Sequence, residues 1–142
     1  MKLPLREFSE IVSMLRGHTQ YGAGSEGRRA SRLVISARID THQVENGVIS
    51  RSFSVLTRDI SISGIALLQT VALAVGNELV VALPRQKMSL FVASKVMHCR
   101  ELASGLLVVG LEFSHAIDEA VMDAMLKSTM DEVARLRRSI IG

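Results

Sequence analysis

The chain is short of several things that common functions need. Its 142 residues include one cysteine, Cys99, no tryptophan, one tyrosine, four phenylalanines and two prolines. A lone cysteine forms no internal disulfide, which fits a reducing compartment and sets a cytoplasmic location as the expectation. So few aromatic rings leave little for the base-stacking platforms of a single-stranded nucleic-acid binder. No apolar run approaches the ~20 residues that span a bilayer. Arg6 and Glu10 fall where a secretory leader needs an apolar stretch.

Reactive constellations are missing as well. The chain has no GxSxG elbow, no Walker loop and no Rossmann glycine fingerprint. His18, His42, His98 and His115 are scattered without zinc spacing, and His98 and Cys99, as neighbours on a strand, point to opposite faces. Asp59 and Ser61 have no evident partner base. Neither an enzyme nor a metal centre is expected, and no cofactor is implied.

Lysine is scarce too, with four against thirteen arginines, and the net charge is only +3. That charge is small for general nucleic-acid binding, so DNA is not an expected partner. Arginine's planar fork pairs with phosphate or guanine and stacks on a base, which lysine cannot do. Clustered arginines therefore carry the information.

The hydrophobic pattern divides the chain. Leu5, Phe8, Val12 and Leu15 recur at helical spacing and predict an amphipathic helix over about 5–16. Gly17 opens a breaker-rich arm, GHTQYGAGSEG, that runs into the first arginine cluster. From Leu33 the period becomes two, with Leu33, Ile35, Ala37 and Ile39 facing one way. Glu45-Asn46-Gly47 predicts a hairpin turn. Further strand-like runs follow at 48–58, 60–68, 78–83, 90–98 and 105–113, with no helix between them, which argues for an antiparallel barrel or sandwich. The stretch from about 115 to 140 is helical again. Met122, Leu126, Thr129, Val133, Leu136 and Ile140 form a heptad seam, Asp118 and Glu119 lie in the first turn, and arginines lie in the last. The seam has two readings: it lies on the barrel, or its distal half pairs with a second copy in a homodimer.

Two patches remain. RRASR, from Arg28 to Arg32, reads RxxxR at the end of the glycine-rich arm; DISISG, from Asp59 to Gly64, reads DxSxxG. A Gly-x-x-Phe element, Gly110 to Phe113, closes the last strand. In this order the three resemble the PilZ domain, a family of bacterial receptors for cyclic di-GMP. The resemblance covers roughly residues 26–125. It implies a mainly β fold, a six-stranded antiparallel barrel with an N-terminal helix and arm (1–25) ahead of a PilZ domain (26–142) that ends in the long helix.

The resemblance also implies the site. Arg28 and Arg32 contact a guanine edge, stack on a base and neutralise phosphate, and Arg29 is a further phosphate contact. Asp59 accepts from a guanine donor edge. Ser61 offers a hydroxyl from the same strand face as Asp59, with Ile60 and Ile62 turned into the barrel. Gly64 permits a bulge or a positive φ. On this reading the nucleotide orders the arm, repositions the N-terminal helix and signals to an unidentified protein partner in motility, exopolysaccharide or attachment systems. The alternative is a module of the same fold that binds protein and no nucleotide.

Overall fold

The computed structural model describes residues 1–17 and 32–127. The first element is helix α1, Leu5–Arg16, entered through Pro4 and carrying Glu7 in its first turn and Arg16 in its last. Both charges have the sign the helix dipole favours. Its apolar stripe buries Ile11, Val12 and Leu15. These side chains, with Leu3 ahead of them, join the same core cluster as Ile60, Ile65, Leu83 and Phe113. The helix is thus a plug in one end of the β structure. Arg85 Nη1 donates to Glu7 Oε1 at 2.9 Å, and the Gln86 amide donates to Glu10 Oε2 at 2.7 Å, so the segment Arg85-Gln86 clasps its outer face.

Seven strands follow: β1 (Leu33–Val34), β2 (Arg38–Glu45), β3 (Val48–Ile60), β4 (Gly64–Gln69), β5 (Glu78–Leu83), β6 (Leu90–Ala103) and β7 (Leu106–Ile117). The sheet order is β1-β3-β2-β5-β6-β7-β4, every pair is antiparallel, and β3 also pairs with β4. That last pairing closes the six strands β2 to β7 into a barrel, as expected. Closure pairs most of the sheet's outer edge, which otherwise invites association. The hairpin turn falls where Asn-Gly predicts it, with φ of 53° at Asn46 and 79° at Gly47. The chain contains no described helix long and apolar enough to cross a membrane.

Several strand boundaries differ from the sequence expectation. The alternation from Leu33 to Ile39 holds, yet residues 35–37 do not form strand. There the Thr57 side chain intervenes: its Oγ1 donates to the Ile35 carbonyl and accepts from the Ala37 amide. A hydroxyl standing in for ladder partners splits one predicted strand into β1 and β2. At the other end, β6 runs on past the predicted 98 to Ala103, Gly105 turns the chain with a φ of 76°, and β7 runs past the predicted 113 to Ile117, so residues 115–117, expected to be helical, are strand. The added segment around Arg100 to Ala103 is largely exposed, so burial imposes no alternation on its sequence.

On β2, His42 Nδ1 lies 2.7 Å from Ser52 Oγ across the β2–β3 pair. Burial pushes its pKa below the ordinary 6.5, against a weaker opposite pull from Asp40. The folded chain therefore holds fewer protons than the unfolded chain as pH falls through 6.5, and stability declines there. Urea midpoints at about pH 7.5 and about pH 5.5 should show this fall, and His42→Asn should flatten it. An unchanged slope in the variant would assign the pH dependence to other groups.

A second helix, α2, begins at residue 119 and is described through 127. Met122 is fully buried with Val44, Ile49 and Val80, and Phe91, Ile117, Met125 and Leu126 pack around them. Val80 faces outward while Leu79, Val81 and Leu83 fill the barrel. Hence β5 is buried on both faces, and its continuous apolar run reflects that. The proximal part of the heptad seam, Met122 and Leu126, lies on the barrel; Thr129 and the positions after it lie outside the described residues.

Candidate functional site

The DxSxxG patch joins β3 to β4 and is a hairpin loop rather than the interior of a strand. β3 ends at Ile60 and β4 starts at Gly64. The Ser61 amide donates to the Gly64 carbonyl at 2.9 Å, closing a loop whose two free residues are Ile62 and Ser63. Ser61 Oγ then accepts from the Gly64 amide at 3.1 Å and the Ser63 amide at 3.2 Å. Neighbouring backbone fixes the loop further. The Ile62 carbonyl accepts from Leu3 at 2.7 Å, and the Ser63 carbonyl accepts from Phe113 at 2.9 Å.

This geometry corrects three expectations. Ser61 does not share an outward face with Asp59; it is 4% exposed, and its hydroxyl is spent inside the turn. Ile60 is buried as expected, but Ile62 is half-buried at the loop. Gly64 has neither a positive φ nor the bulge, which lies between Thr57 and Asp59. Its missing side chain answers a steric need instead. Gly64 pairs with Glu112 of β7, and a Cβ there would stand 2.3 Å from the Leu111 carbonyl oxygen.

The loop's outward side carries the polar groups. Asp59 precedes it, opposite Val34 of β1, and its Oδ1 accepts from Arg32 Nη1 in a close ion pair. The Arg32 side chain is 47% exposed and that of Asp59 is 14% exposed, so the carboxylate is sheltered while the guanidinium keeps donors facing solvent. Arg32, Asp59 and Gly64 thus come together at one corner, with Ser61 beneath them. Arg28 and Arg29 lie outside the described residues.

Beside this corner lies a cavity of about 180 Å³, shared by Arg32, Ser63, Gly64, His98, Gly110 and Glu112 among others. The His98 ring lies flat over Gly110, its register partner, so closely that a Cβ on Gly110 would be 2.2 Å from Nε2. A bulge between Val96 and His98 turns this ring to the surface next to exposed Met97. Ser63, His98, Gly110 and Glu112 were not legible as site residues. The signal for His98 and Gly110, a large ring opposite a glycine, exists only once the β6–β7 register is known. Chemically, the corner offers a guanidinium fork, a sheltered carboxylate, a serine hydroxyl and a flat imidazole face.

No curated protein sequence matches the chain. Among solved structures, it is similar to the Bacillus subtilis inhibitor of motility MotI/DgrA (16% identity over 77% of this chain and 53% of that one, TM-score 0.46). It is also similar to the K. pneumonia MrkH–c-di-GMP complex (16% identity over 78% of this chain and 54% of that one, TM-score 0.48). The chain spans about half the length of each of these structures. The model of the PilZ domain matches residues 26–130, which hold the RxxxR patch, the DxSxxG loop, the whole barrel and the start of α2. The chain belongs to the PilZ domain family.

Proposed function

We propose that this chain is a cyclic di-GMP receptor that acts without catalysis and passes the signal on through protein contacts. The observation that carries the reading is the placement of Arg32 against Asp59 at the rim of the DxSxxG loop, in a PilZ domain. Cyclic di-GMP offers two guanines and two phosphates. Arg32 takes guanine acceptors or phosphate with its fork, and Asp59 accepts from the N1–H and amino edge. Arg28 and Arg29 supply further phosphate and base contacts from the arm. Gly64 keeps the loop flush with β7, and Ser61 serves by holding the turn that presents its neighbours. The imidazole face of His98 gives the ligand a flat surface on Gly110.

The conformational response belongs to the arm rather than to α1. Moving α1 would uncover Ile11, Val12 and Leu15, at about 1.5–3 kcal/mol for each large side chain exposed. The receiving system belongs with motility, exopolysaccharide or attachment, and the receiver is another protein.

Calorimetric titration with cyclic di-GMP, against GTP and cyclic di-AMP, tests the reading. Selective binding is expected, and Arg32→Ala should lose roughly 1–3 kcal/mol of affinity for each bidentate contact removed. Amide exchange over 17–32 should slow in the same complex. Absence of binding by the folded chain would leave a PilZ-fold protein-interaction module.

A further inference from the structure

The barrel has a gap that the nucleotide reading does not use. β3 pairs with β2 from Val48 to Leu56, but with β4 only from Leu56 to Ile60. Its N-terminal half therefore presents an edge with no strand beside it among the described residues. The Thr57 amide donates to Ala37 on the β2 side, at 2.8 Å. Alternation then turns the Phe53 and Val55 backbone groups toward β2, and those of Ser52 and Ser54 toward the gap. The Phe53 carbonyl indeed accepts from Thr41 of β2, at 3.1 Å.

A cleft of about 430 Å³ runs along this edge. Consecutive residues Phe53 to Leu56 line it, so it lies at the strand's edge rather than on either face. Leu68, Val71 and Leu106 form the far wall, and Leu56 and Val71 are 37% and 46% exposed. Arg38 and Arg51 sit on the rim. Arg51 is held in place, donating to Gln43 Oε1 at 2.9 Å and lying 5.8 Å over the Phe53 ring. Arg38 has no ion pair among the described residues.

We infer that this edge is a docking site for an extended segment of a partner protein, with alternating apolar side chains and acidic residues at its ends. An unpaired edge offers main-chain hydrogen bonds, which an extended peptide uses fully. The cleft takes every second side chain, and the two arginines select negative charge. A second copy fits poorly, because edge-to-edge pairing about a two-fold axis gathers the Arg38 and Arg51 side chains of both copies. The inference does not depend on nucleotide binding, since none of these residues belongs to the Arg32–Asp59 corner.

The test is an amide NMR titration of the full chain with a peptide alternating valine and threonine and ending in aspartate on both sides. Saturable shifts at Ser52 and Ser54 are expected at about millimolar peptide or below. The same peptide with alternate backbone nitrogens methylated should not bind in the register that faces β3. Arg38→Glu with Arg51→Glu should weaken the aspartate-ended peptide by about threefold or more and favour a lysine-ended one. Equal binding of both N-methylated registers, or no saturable shift at Ser52 and Ser54, would overturn the proposal. Concentration-dependent shifts there without peptide would overturn it in favour of self-association.

Discussion

Removal of residues 1–16 is expected to unfold the barrel rather than trim it. Leu3, Ile11 and Leu15 are 2%, 0% and 6% exposed, and Val12 is 7% exposed. Each contributes on the order of 1.5–3 kcal/mol by burial. Their sum rivals the ~5–15 kcal/mol net stability of a typical domain. The loss is compounded because the end of the barrel they cover, with Ile60, Ile65, Leu83 and Phe113, would meet water. The truncated chain should lose its near-ultraviolet dichroism and its cooperative thermal transition. A cooperative transition retained near the full-length midpoint would mean that the helix is an accessory. Glu7→Ala provides a milder control, because it removes only the partly exposed pair with Arg85 and should cost under about 1 kcal/mol.

Among the described glycines, Gly64→Ala should be the most damaging substitution. The new Cβ would sit 2.3 Å from the Leu111 carbonyl oxygen, and both groups are backbone of paired strands. No rotamer relieves that contact, so β4 and β7 must part where they help close the barrel. A cost of roughly 3 kcal/mol or more is expected, beyond ordinary overpacking. Gly110→Ala makes the contrast. Its Cβ would strike the His98 ring, whose nearest atom is 2.2 Å away, but an exposed ring can swing aside. That variant should stay folded within about 1 kcal/mol while removing the flat imidazole from the cavity. Denaturant midpoints for the two variants decide the matter. Equal destabilisation would show that the β4–β7 pairing yields more easily than its geometry suggests.

How much of this was legible in the sequence depends on where the physical cause resides. The barrel could be read because half-buried strands alternate, as from Leu33 to Ile39, and because Asn46-Gly47 tolerates positive φ cheaply. Helix α1 could be read from its stripe, but not its destination: the same stripe suits a detached helix, and only the tertiary structure places Ile11 among barrel residues. The DxSxxG patch was oriented wrongly. Period-two reasoning assumes that the strand continues, whereas Ser61 ends it by offering its hydroxyl to the Gly64 amide. Gly64 was singled out for a backbone angle that it does not adopt; the demand on it comes from Leu111, far along the chain. His98 was weighed only as a metal ligand, since nothing local connects it with Gly110. The cleft beside β3 arises from strands pairing over unequal lengths, a property of register that composition does not encode.

The Arg32–Asp59 pair has a consequence for selectivity. On the proposed reading, recognition exchanges the Arg32 Nη1–Asp59 Oδ1 contact for contacts to the ligand, while the remaining guanidinium donors face solvent. A bare anion can draw Arg32 away, but it strands a carboxylate that is only 14% exposed and poorly reached by water. A cation does the reverse. Only a molecule presenting acceptors and a donor edge together leaves neither group worse off. Simple phosphates and common nucleotides without a suitably placed donor edge would then be turned away by the charge they fail to replace, and steric exclusion would have little to add.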